Sequence, residues 1–405
     1  MPRLSGVQLG IVGKPNTGKS TFFAAATLQN VKIAPYPFTT IEPNVGVGYV
    51  RFECVCKEFG VKDTPANSIC IDGWRFAPVE LIDVAGLVPD AWQGRGLGNR
   101  FLDHLRRADA LIHVIDASGG TDSEGRPVEP GSHDPLEDVA FLERELDMWI
   151  YGMLERDWKR FAMTVEAKGS KIDEELYKRL SGLEVSRGAV QEAIEAAGLQ
   201  GRRPSSWSNE NLLLFVRELR IRAKPMVIAA NKADLPTAKP NIERMKEVLK
   251  DRYVVIPTSA EAELALRKAA AVGLIKYLPG DRDFEIVGKL TDKQVEALEY
   301  IRKRVLKVYG STGVQEALNT AVFGVLKCVA VFPVANEQSL SDSEGRVLPD
   351  VYLMRERSTV HDLAYAIHSE LGEKFIAAID VRSRKRVGAE TLLTHRMVVK
   401  VIAGR

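Results

Sequence analysis

The sequence predicts an α/β fold with a helical insertion in its middle and a small strand-rich domain at its C-terminal end. Three observations carry that expectation. Apolar strand-like runs end in polar loops and lead into helical stretches, first in VQLGIVGKPNTGKST (7–21) and again in PVELIDVAG (78–86) and MVIAANKADLP (226–236). Gly86 and Asn231, at the ends of two such strands, stand 145 positions apart, where two β–α units would need about 60 residues. From about residue 331 short strand-like runs gather around one helical stretch.

Bulk properties narrow the field further. A chain of 405 residues, 45% hydrophobic and 27% charged, can build two or three domains with real cores. The net charge of +2 excludes a polybasic coat, so any nucleic-acid contact should be local; DNA is not an expected partner. Four cysteines are too few and too unevenly spaced for a disulfide scaffold, which favours a reducing cytoplasm. The apolar run near the N-terminus is too short for a signal-peptide core, and Lys327 breaks the apolar stretch 321–335 well short of the ~20 residues of a membrane span. Neither a targeting segment nor a membrane anchor is expected.

Residues 7–21 give the strongest local signal. An apolar run, Val7 to Val12, feeds the pattern G-x-x-x-x-G-K-S as Gly13, Gly18, Lys19 and Ser20, followed by an Ala-rich helical stretch. Glycines let backbone N–H groups turn inward around phosphate oxygens at a helix N-terminus, whose dipole favours anions. Lys19 then supplies charge to the β- and γ-phosphates, and the Ser20 hydroxyl can ligand Mg²⁺. The loop Gly13, Lys14, Pro15, Asn16, Thr17, Gly18, Lys19, Ser20 and Thr21 is thus expected to line a nucleoside triphosphate in a P-loop NTPase fold.

Which base it takes depends on the later strands. The Asp234 carboxylate of NKAD, an acceptor only, suits N1–H and the 2-amino group of guanine, while adenine presents an unprotonated N1 there. A site built around a polar group rejects an analogue lacking the partner by of order 10⁴ or more in favourable cases. Alone, NKAD could be a solvated turn near a helix N-cap; in order after a phosphate loop, Asn231, Lys232 and Asp234 read as base recognition. Ser259, Ala260 and Glu261 in VVIPTSAEAE (254–263) are placed to add a backbone contact.

Two switch segments lie between these ends. PVELIDVAG ends in Asp83, which would hold Mg²⁺ through water, with the Gly86 N–H facing the γ-phosphate. PYPFTTIEPN (35–44) offers Thr39 and Thr40, either of which could reach Mg²⁺ while the γ-phosphate is present.

The motifs GKPNTGKST, YPFTTIEPN, DVAGLVPDAWQGRGLGNRFLDHLRRADALIHVIDASGGTD and NKAD together resemble the Obg family of translation-factor-type GTPases, in particular archaeal-type members of its YchF branch. The resemblance runs along nearly the whole chain and is weakest from about 150 to 210. It implies GTP hydrolysis with Mg²⁺ held by Ser20, Thr40 (rather than Thr39) and Asp83. It also implies a ribosome or structured RNA as partner, with a protein activator as a further one. One departure matters. The YchF branch typically carries N-x-x-E, a change that accompanies acceptance of ATP, so Asp234 argues for GTP here. Leu87 stands where a Ras-like GTPase has the glutamine that orients the attacking water; the resemblance implies a class with a hydrophobic residue there. In related GTPases an asparagine at the Asn16 position helps to hold K⁺.

The expected organisation is a Ras-like G domain in two parts, 1–133 and 221–280, interrupted by a helical insertion at 134–220. A helical connector at 281–330 and a C-terminal domain at 331–405 follow. In LEDVAFLERELDMWIYGMLERDWKRF (136–161) apolar residues at 139, 142, 146, 149 and 153 form an amphipathic seam. A second helical stretch (173–198) is interrupted by Gly182 and Gly188, and the branch carries a coiled-coil hairpin in this place. Trp149, Trp158 and Phe161 read better as packing against the partner helix than as a binding surface. Gly310 and Gly313 should break the connector. STVHDLAYAIHSELG resembles the β-grasp TGS domain, with Ser358 or Thr359 capping its helix and Gly372 ending it. Arg382, Arg384, Lys385 and Arg386 form its densest positive cluster, suited to phosphates or equally to a solvated turn.

Two weaker constellations remain. Cys54, Cys56 and Cys70 could be three ligands of a metal site, but the usual pair spacing and a fourth ligand are missing, so buried thiols are the better reading. His113, on the apolar run ALIHVIDAS, reads as a core residue. The catalytic expectation therefore rests on Lys19 and the Gly86 amide, with Mg²⁺ neutralising the γ-phosphoryl.

Overall fold

The computed structural model describes residues 6–27, 45–84, 105–183 and 185–404. The chain begins β1 (Gln8–Val12), α1 (Lys19–Thr27), β2 (Val45–Glu53), α2 (Val55–Phe59), β3 (Ile69–Ile71), β4 (Trp74–Asp83) and β5 (Ala110–Asp116). Helices α3 (Pro135–Glu155), α4 (Trp158–Lys168), α5 (Ile172–Arg179), α6 (Arg187–Ala196) and α7 (Asn209–Ala223) follow. Then come β6 (Met226–Asn231), α8 (Ala238–Leu249), β7 (Val254–Pro257), α9 (Ala260–Ala271), β8 (Ile275–Lys276), β9 (Glu285–Ile286), α10 (Asp292–Ile301) and α11 (Val314–Asn319). The chain closes with β10 (Val329–Val334), β11 (Tyr352–Met354), α12 (Val360–Ile367), α13 (Ser369–Glu373), β12 (Phe375–Asp380), β13 (Lys385–Val387) and β14 (Met397–Ala403). The larger sheet has the order β2-β4-β1-β5-β6-β7, with β3 beside β4. Among the described residues no helix is long and apolar enough to cross a membrane.

Contacts divide the chain into two compact units, Leu9–Phe22 with Ile82–Glu261, and Met1–Gln8 with Phe23–Leu81 and Ala262–Arg405. In the first, β5 is buried along its whole length. It pairs in parallel with β1 on one side and β6 on the other, which sets Asp116 beside Asn231. A parallel strand covered on both faces has no reason to alternate polar with apolar residues, and ALIHVID does not.

Among the described residues the insertion in this unit carries helices α3 to α7. Asp134 caps α3 by accepting from the Leu136 N–H, with Pro135 in the first turn. Val139, Leu142, Leu146, Trp149, Ile150 and Leu154 are its buried apolar stripe. The expected single helix over 136–161 ends at Glu155 and restarts at Trp158, so the seam moves from Met153 to Leu154 in the last turn of α3. Trp158 is buried, stacks on Trp207 with ring centroids 5.3 Å apart and touches Phe161 at 5.6 Å, which makes these aromatics packing residues.

In the second unit, Gly310 (φ 83°) and Gly313 (φ 81°) break the connector as their left-handed backbone requires. The small sheet has the order β11-β10-β14-β12-β13, with β10 and β14 parallel and the other pairs antiparallel. Val331, Ala378, Met397 and Val399 pack on Val360 and Leu363 of α12, the β-grasp arrangement. Thr359 caps α12 in a reciprocal box with Asp362. The helix stops at His368, whose backbone is extended, and Gly372 lies inside α13. Gly372 is small because a Cβ there would run into the Tyr365 ring, and its carbonyl faces His361 Nε2 at 3.0 Å.

His113 is 1% exposed on β5, between Val12 and Ile228. Burial, helped by the nearby charge of Lys14, pushes its pKa down to about 3. An unfolded histidine takes a proton near pH 6.5 and the folded one resists it, so stability is full above pH 6.5 and falls as pH drops toward 3. The loss should reach about 2 kcal/mol at pH 5. Denaturant titrations from pH 7 to pH 5 should show this fall, and His113→Leu should flatten it; an unchanged slope in that variant would assign the acid sensitivity elsewhere.

Candidate functional site

The loop between β1 and α1 has a backbone that only certain residues allow. Asn16 (φ 63°) and Gly18 (φ 90°) are left-handed. A Cβ on Gly18 would collide with Asn231 Nδ2, and one on Gly13 would come 2.5 Å from the Val114 carbonyl oxygen. Both glycines of the pattern are thus forced by close approach. Thr17 Oγ1 donates to the Lys14 carbonyl at 3.0 Å, and Phe22 N–H donates to Gly18 O at 2.8 Å as α1 begins. The first turn of α1, with Lys19, Ser20 and Thr21, follows the loop directly, so its unpaired N–H groups face the loop as an anion site.

Lys19 Nζ donates to Asp83 Oδ1, and both side chains are largely shielded. The pair balances the charges that a triphosphate and a metal would otherwise satisfy. Ser20, exposed in the first turn of α1, and Asp83, at the end of β4, are hard oxygen donors of the kind Mg²⁺ takes, so they fit the ion once Asp83 leaves Lys19. Thr39, Thr40, Gly86 and Leu87 lie outside the described residues.

The residues expected to read the base converge on the same place. Asn231 donates from Nδ2 to the Thr17 carbonyl at 2.9 Å and accepts the Ala260 N–H at Oδ1 at 3.0 Å. Its amide is a strut between three segments. Asp234 accepts from the Ser259 hydroxyl at 2.8 Å, so the Ser259 side chain contributes where only a backbone contact was expected. Lys232 (φ 60°) donates to Asp116 Oδ2 at 2.7 Å. Asp116 also accepts from the hydroxyls of Ser118 and Thr121. Burial alone would raise its pKa, but these donors carry the carboxyl below its usual range.

A second layer escaped the sequence reading. The loop after β5 folds against the phosphate loop: Asn16 Nδ2 donates to Gly125 O at 2.8 Å, and Lys14 Nζ donates to Asp122 O at 2.6 Å. Gly125 is left-handed (φ 79°), and a Cβ there would come 2.8 Å from the Pro15 carbonyl oxygen. Lys14 is 2% exposed and pairs with Asp138 at 2.5 Å, beside His133, whose Nε2 lies 2.7 Å from the same oxygen. Burial raises the Asp138 pKa against the pull of Lys14 and of the hydrogen bond with His133. The Lys14 side chain is therefore committed to α3, and only its backbone is left to a phosphate. The signal was present, since a lysine followed by Pro-Asn in a tight loop needs a partner, but the partner lies 124 positions away.

Three family models match the chain in order: a 50S ribosome-binding GTPase over residues 8–129, the G4 motif-containing domain of YGR210-like Obg-like GTPases over 229–336, and a TGS domain over 344–403. An uncharacterized GTP-binding protein of Methanocaldococcus jannaschii is 50% identical over 397 residues, 98% of each chain. The chain is a member of the Obg-like, YchF-type GTPase family. The crystal structure of a GTP-binding protein from Pyrococcus horikoshii aligns with this Obg-like chain at 42% identity and a TM-score of 0.80, over 98% of this chain and 100% of that one. The ribosome-binding ATPase YchF of Haemophilus influenzae is 33% identical over 64% of this chain and 67% of its own.

The Lys19–Asp83 pair makes a direct prediction. Asp83→Asn should free Lys19, tightening GDP binding severalfold in EDTA, and should shrink the gain that Mg²⁺ gives a triphosphate. Titration with a fluorescent nucleotide measures both. Weaker GDP binding in EDTA would mean that the carboxylate does not compete for the lysine.

Proposed function

We propose that this protein is a Mg²⁺-dependent GTPase that converts GTP to GDP and phosphate and uses the two nucleotide states as a switch in ribosome-related work in the cytoplasm. The observation that carries this reading is the Asp234 carboxylate, oriented by Ser259 and joined through Asn231 to the phosphate loop. A carboxylate held in that way accepts two N–H donors from guanine and repels the N1 lone pair of adenine. The match to the 50S ribosome-binding GTPase family and to the ribosome-binding ATPase YchF of Haemophilus influenzae supports the ribosome as partner.

The chemistry asked of the protein is chiefly electrostatic. Lys19 and the loop N–H groups stabilise charge on the β- and γ-phosphoryl oxygens, and the Gly86 N–H reports the γ-phosphate. Bound Mg²⁺ supplies further charge neutralisation, with Ser20, Thr40 and Asp83 holding it directly or through water. Leu87 cannot orient water. With Nδ2 given to Gly125, Asn16 offers its Oδ1 to a K⁺ ion near the phosphates, and a partner could supply the rest, a contribution that reaches ~10³ to 10⁵ in other GTPases.

A second reading, an ATPase, is favoured by the relative's name and opposed by Asp234. Competition between labelled GTP and ATP on the purified protein separates the two: GTP should win by at least tenfold, and Asp234→Glu should narrow the gap. An equal preference in the parent protein would overturn the GTP reading. Lys19→Ala and Ser20→Ala should each abolish turnover. Hydrolysis should be slow alone and faster in K⁺ than Na⁺ or with ribosomes; equal rates in all three would refute the K⁺ and partner roles. Ribosome association that is indifferent to GDP and a non-hydrolysable GTP analogue would instead make the protein a scaffold stabilised by nucleotide.

A further inference from the structure

Between β2 and β4, in the second unit, the chain makes a short excursion through α2, a loop and β3. Cys54 caps α2, Cys56 lies in its first turn, Asp63 sits on the loop and Cys70 is on β3. One Sγ or carboxylate oxygen from each of the four lies within 4.8 Å of the others. Cys56 Sγ is 3.8 Å from Cys70 Sγ, and Cys54 Sγ is 3.2 Å from Asp63 Oδ2. Tetrahedral zinc, with Zn–S near 2.3 Å and Zn–O near 2.0 Å, sets its sulfurs about 3.8 Å apart and sulfur and oxygen about 3.5 Å apart. A disulfide would need the sulfurs at about 2 Å, and all the cysteines are free thiols.

The backbone is arranged to bring the four together. Gly60 (φ 63°) ends α2, and the Val61 N–H returns to the Cys56 carbonyl at 3.0 Å. The Cys54 N–H donates to Gly73 O at 2.9 Å, which ties the start of the excursion to the β3–β4 turn. That turn has Asp72 (φ 50°) and Gly73 (φ 77°) left-handed in succession, as a tight hairpin requires, and it places Cys70 opposite Arg75.

We propose that Cys54, Cys56, Cys70 and Asp63 bind a structural Zn²⁺ ion. Three soft thiolates and one carboxylate select zinc over Mg²⁺ or Ca²⁺, and four protein ligands leave no open position for substrate. Asp63 is the fourth ligand that sequence spacing did not reveal. Three thiolates, a carboxylate and Zn²⁺ would sum to two negative charges. Arg75, with no exposed surface, lies 3.2 Å from Asp63 Oδ2 and offsets one of them. The segment has little apolar core of its own, so a metal is a physically sensible staple.

The site would also fix a docking loop. Thr64 and Ala66 donate backbone N–H groups to Val347 and Pro349 at 2.8 Å, Asn67 clasps both backbone groups of Val351, and Arg75 Nη2 donates to Leu348 O. Zinc would hold the excursion against the segment leading into β11.

The test uses the full chain, purified without a histidine tag and kept reduced. Mass-spectrometric metal analysis should find about one zinc per chain. Co²⁺ in its place should give thiolate charge-transfer absorption and tetrahedral visible bands. Cys70→Ser should lose at least tenfold in zinc affinity by chelator competition. Asp63→Cys should tighten zinc by at least tenfold and shift the cobalt bands toward an all-sulfur site, which decides the matter if Cys70→Ser fails to fold. Zinc that stays substoichiometric after reconstitution, an octahedral cobalt spectrum, or thiols that react with a disulfide reagent equally with and without Zn²⁺ would each overturn the proposal.

Discussion

The candidate site depends on one side-chain amide. Asn231 holds the Thr17 carbonyl with its nitrogen and the Ala260 N–H with its oxygen, so the phosphate loop, the end of β6 and the start of α9 are tied to a single planar group. That closeness explains the residues around it. Gly18 has no room for a Cβ because Asn231 Nδ2 stands there, and its backbone is left-handed as well. Each of the two bonds is worth about 1 kcal/mol net, but removing the amide would leave a buried carbonyl and a buried N–H unpaired at once. Asn231 is expected among the base-reading residues; its bonds make it a strut for the loop, while Ser259 holds Asp234.

Charge in the site is organised in pairs. Lys19 meets Asp83, Lys232 meets Asp116, and Lys14 meets Asp138. The pairs differ in what surrounds them. Asp116 has four donors, enough to stabilise its charge despite burial, so Lys232 rests on a fixed anion. Asp83 is the most exposed of the three carboxylates, and under the proposed function each member of its pair gains a better partner in a triphosphate and its metal. A lysine held by one carboxylate exchanges it for phosphate oxygens at small cost, because neither charge is ever left bare.

How much of this was legible in the sequence depends on range. The phosphate loop, NKAD and the strand ends are local patterns whose geometry is set within a dozen residues, and β1, α1, β6 and α12 formed where the pattern placed them. Partners were the hidden part. Asp63 lies only nine positions from Cys54 but at no recognised metal-ligand spacing, so the loop after α2 had to fold before it could be seen; Asp138 reaches Lys14 across 124 positions. Arg382, Arg384, Lys385 and Arg386 suit phosphates or a solvated turn equally from the sequence, but Arg382 makes a bidentate pair with Glu58 of α2, which takes it out of that cluster. Helix ends failed for a similar reason. Gly372 looked like a cap, but the Tyr365 ring over it, not the backbone, requires its small size.

The Lys14–Asp138 pair gives the insertion a physical link to the phosphate loop. Lys14 lies between the two glycines of the loop, and Asp138 lies in the first turn of α3, the helix that opens the insertion. Both side chains are almost fully buried, so separating them would strand two charges, a loss on the order of 3–5 kcal/mol. His133 and the Asp122 carbonyl share the same lysine, and Asn16 is held by Gly125, so the segment leading from β5 to α3 clasps the outer side of the loop at several points. A displacement of the loop backbone must either carry this segment along or break these contacts. Under the proposed function, a loop shift on phosphate binding would reach α3 through this pair.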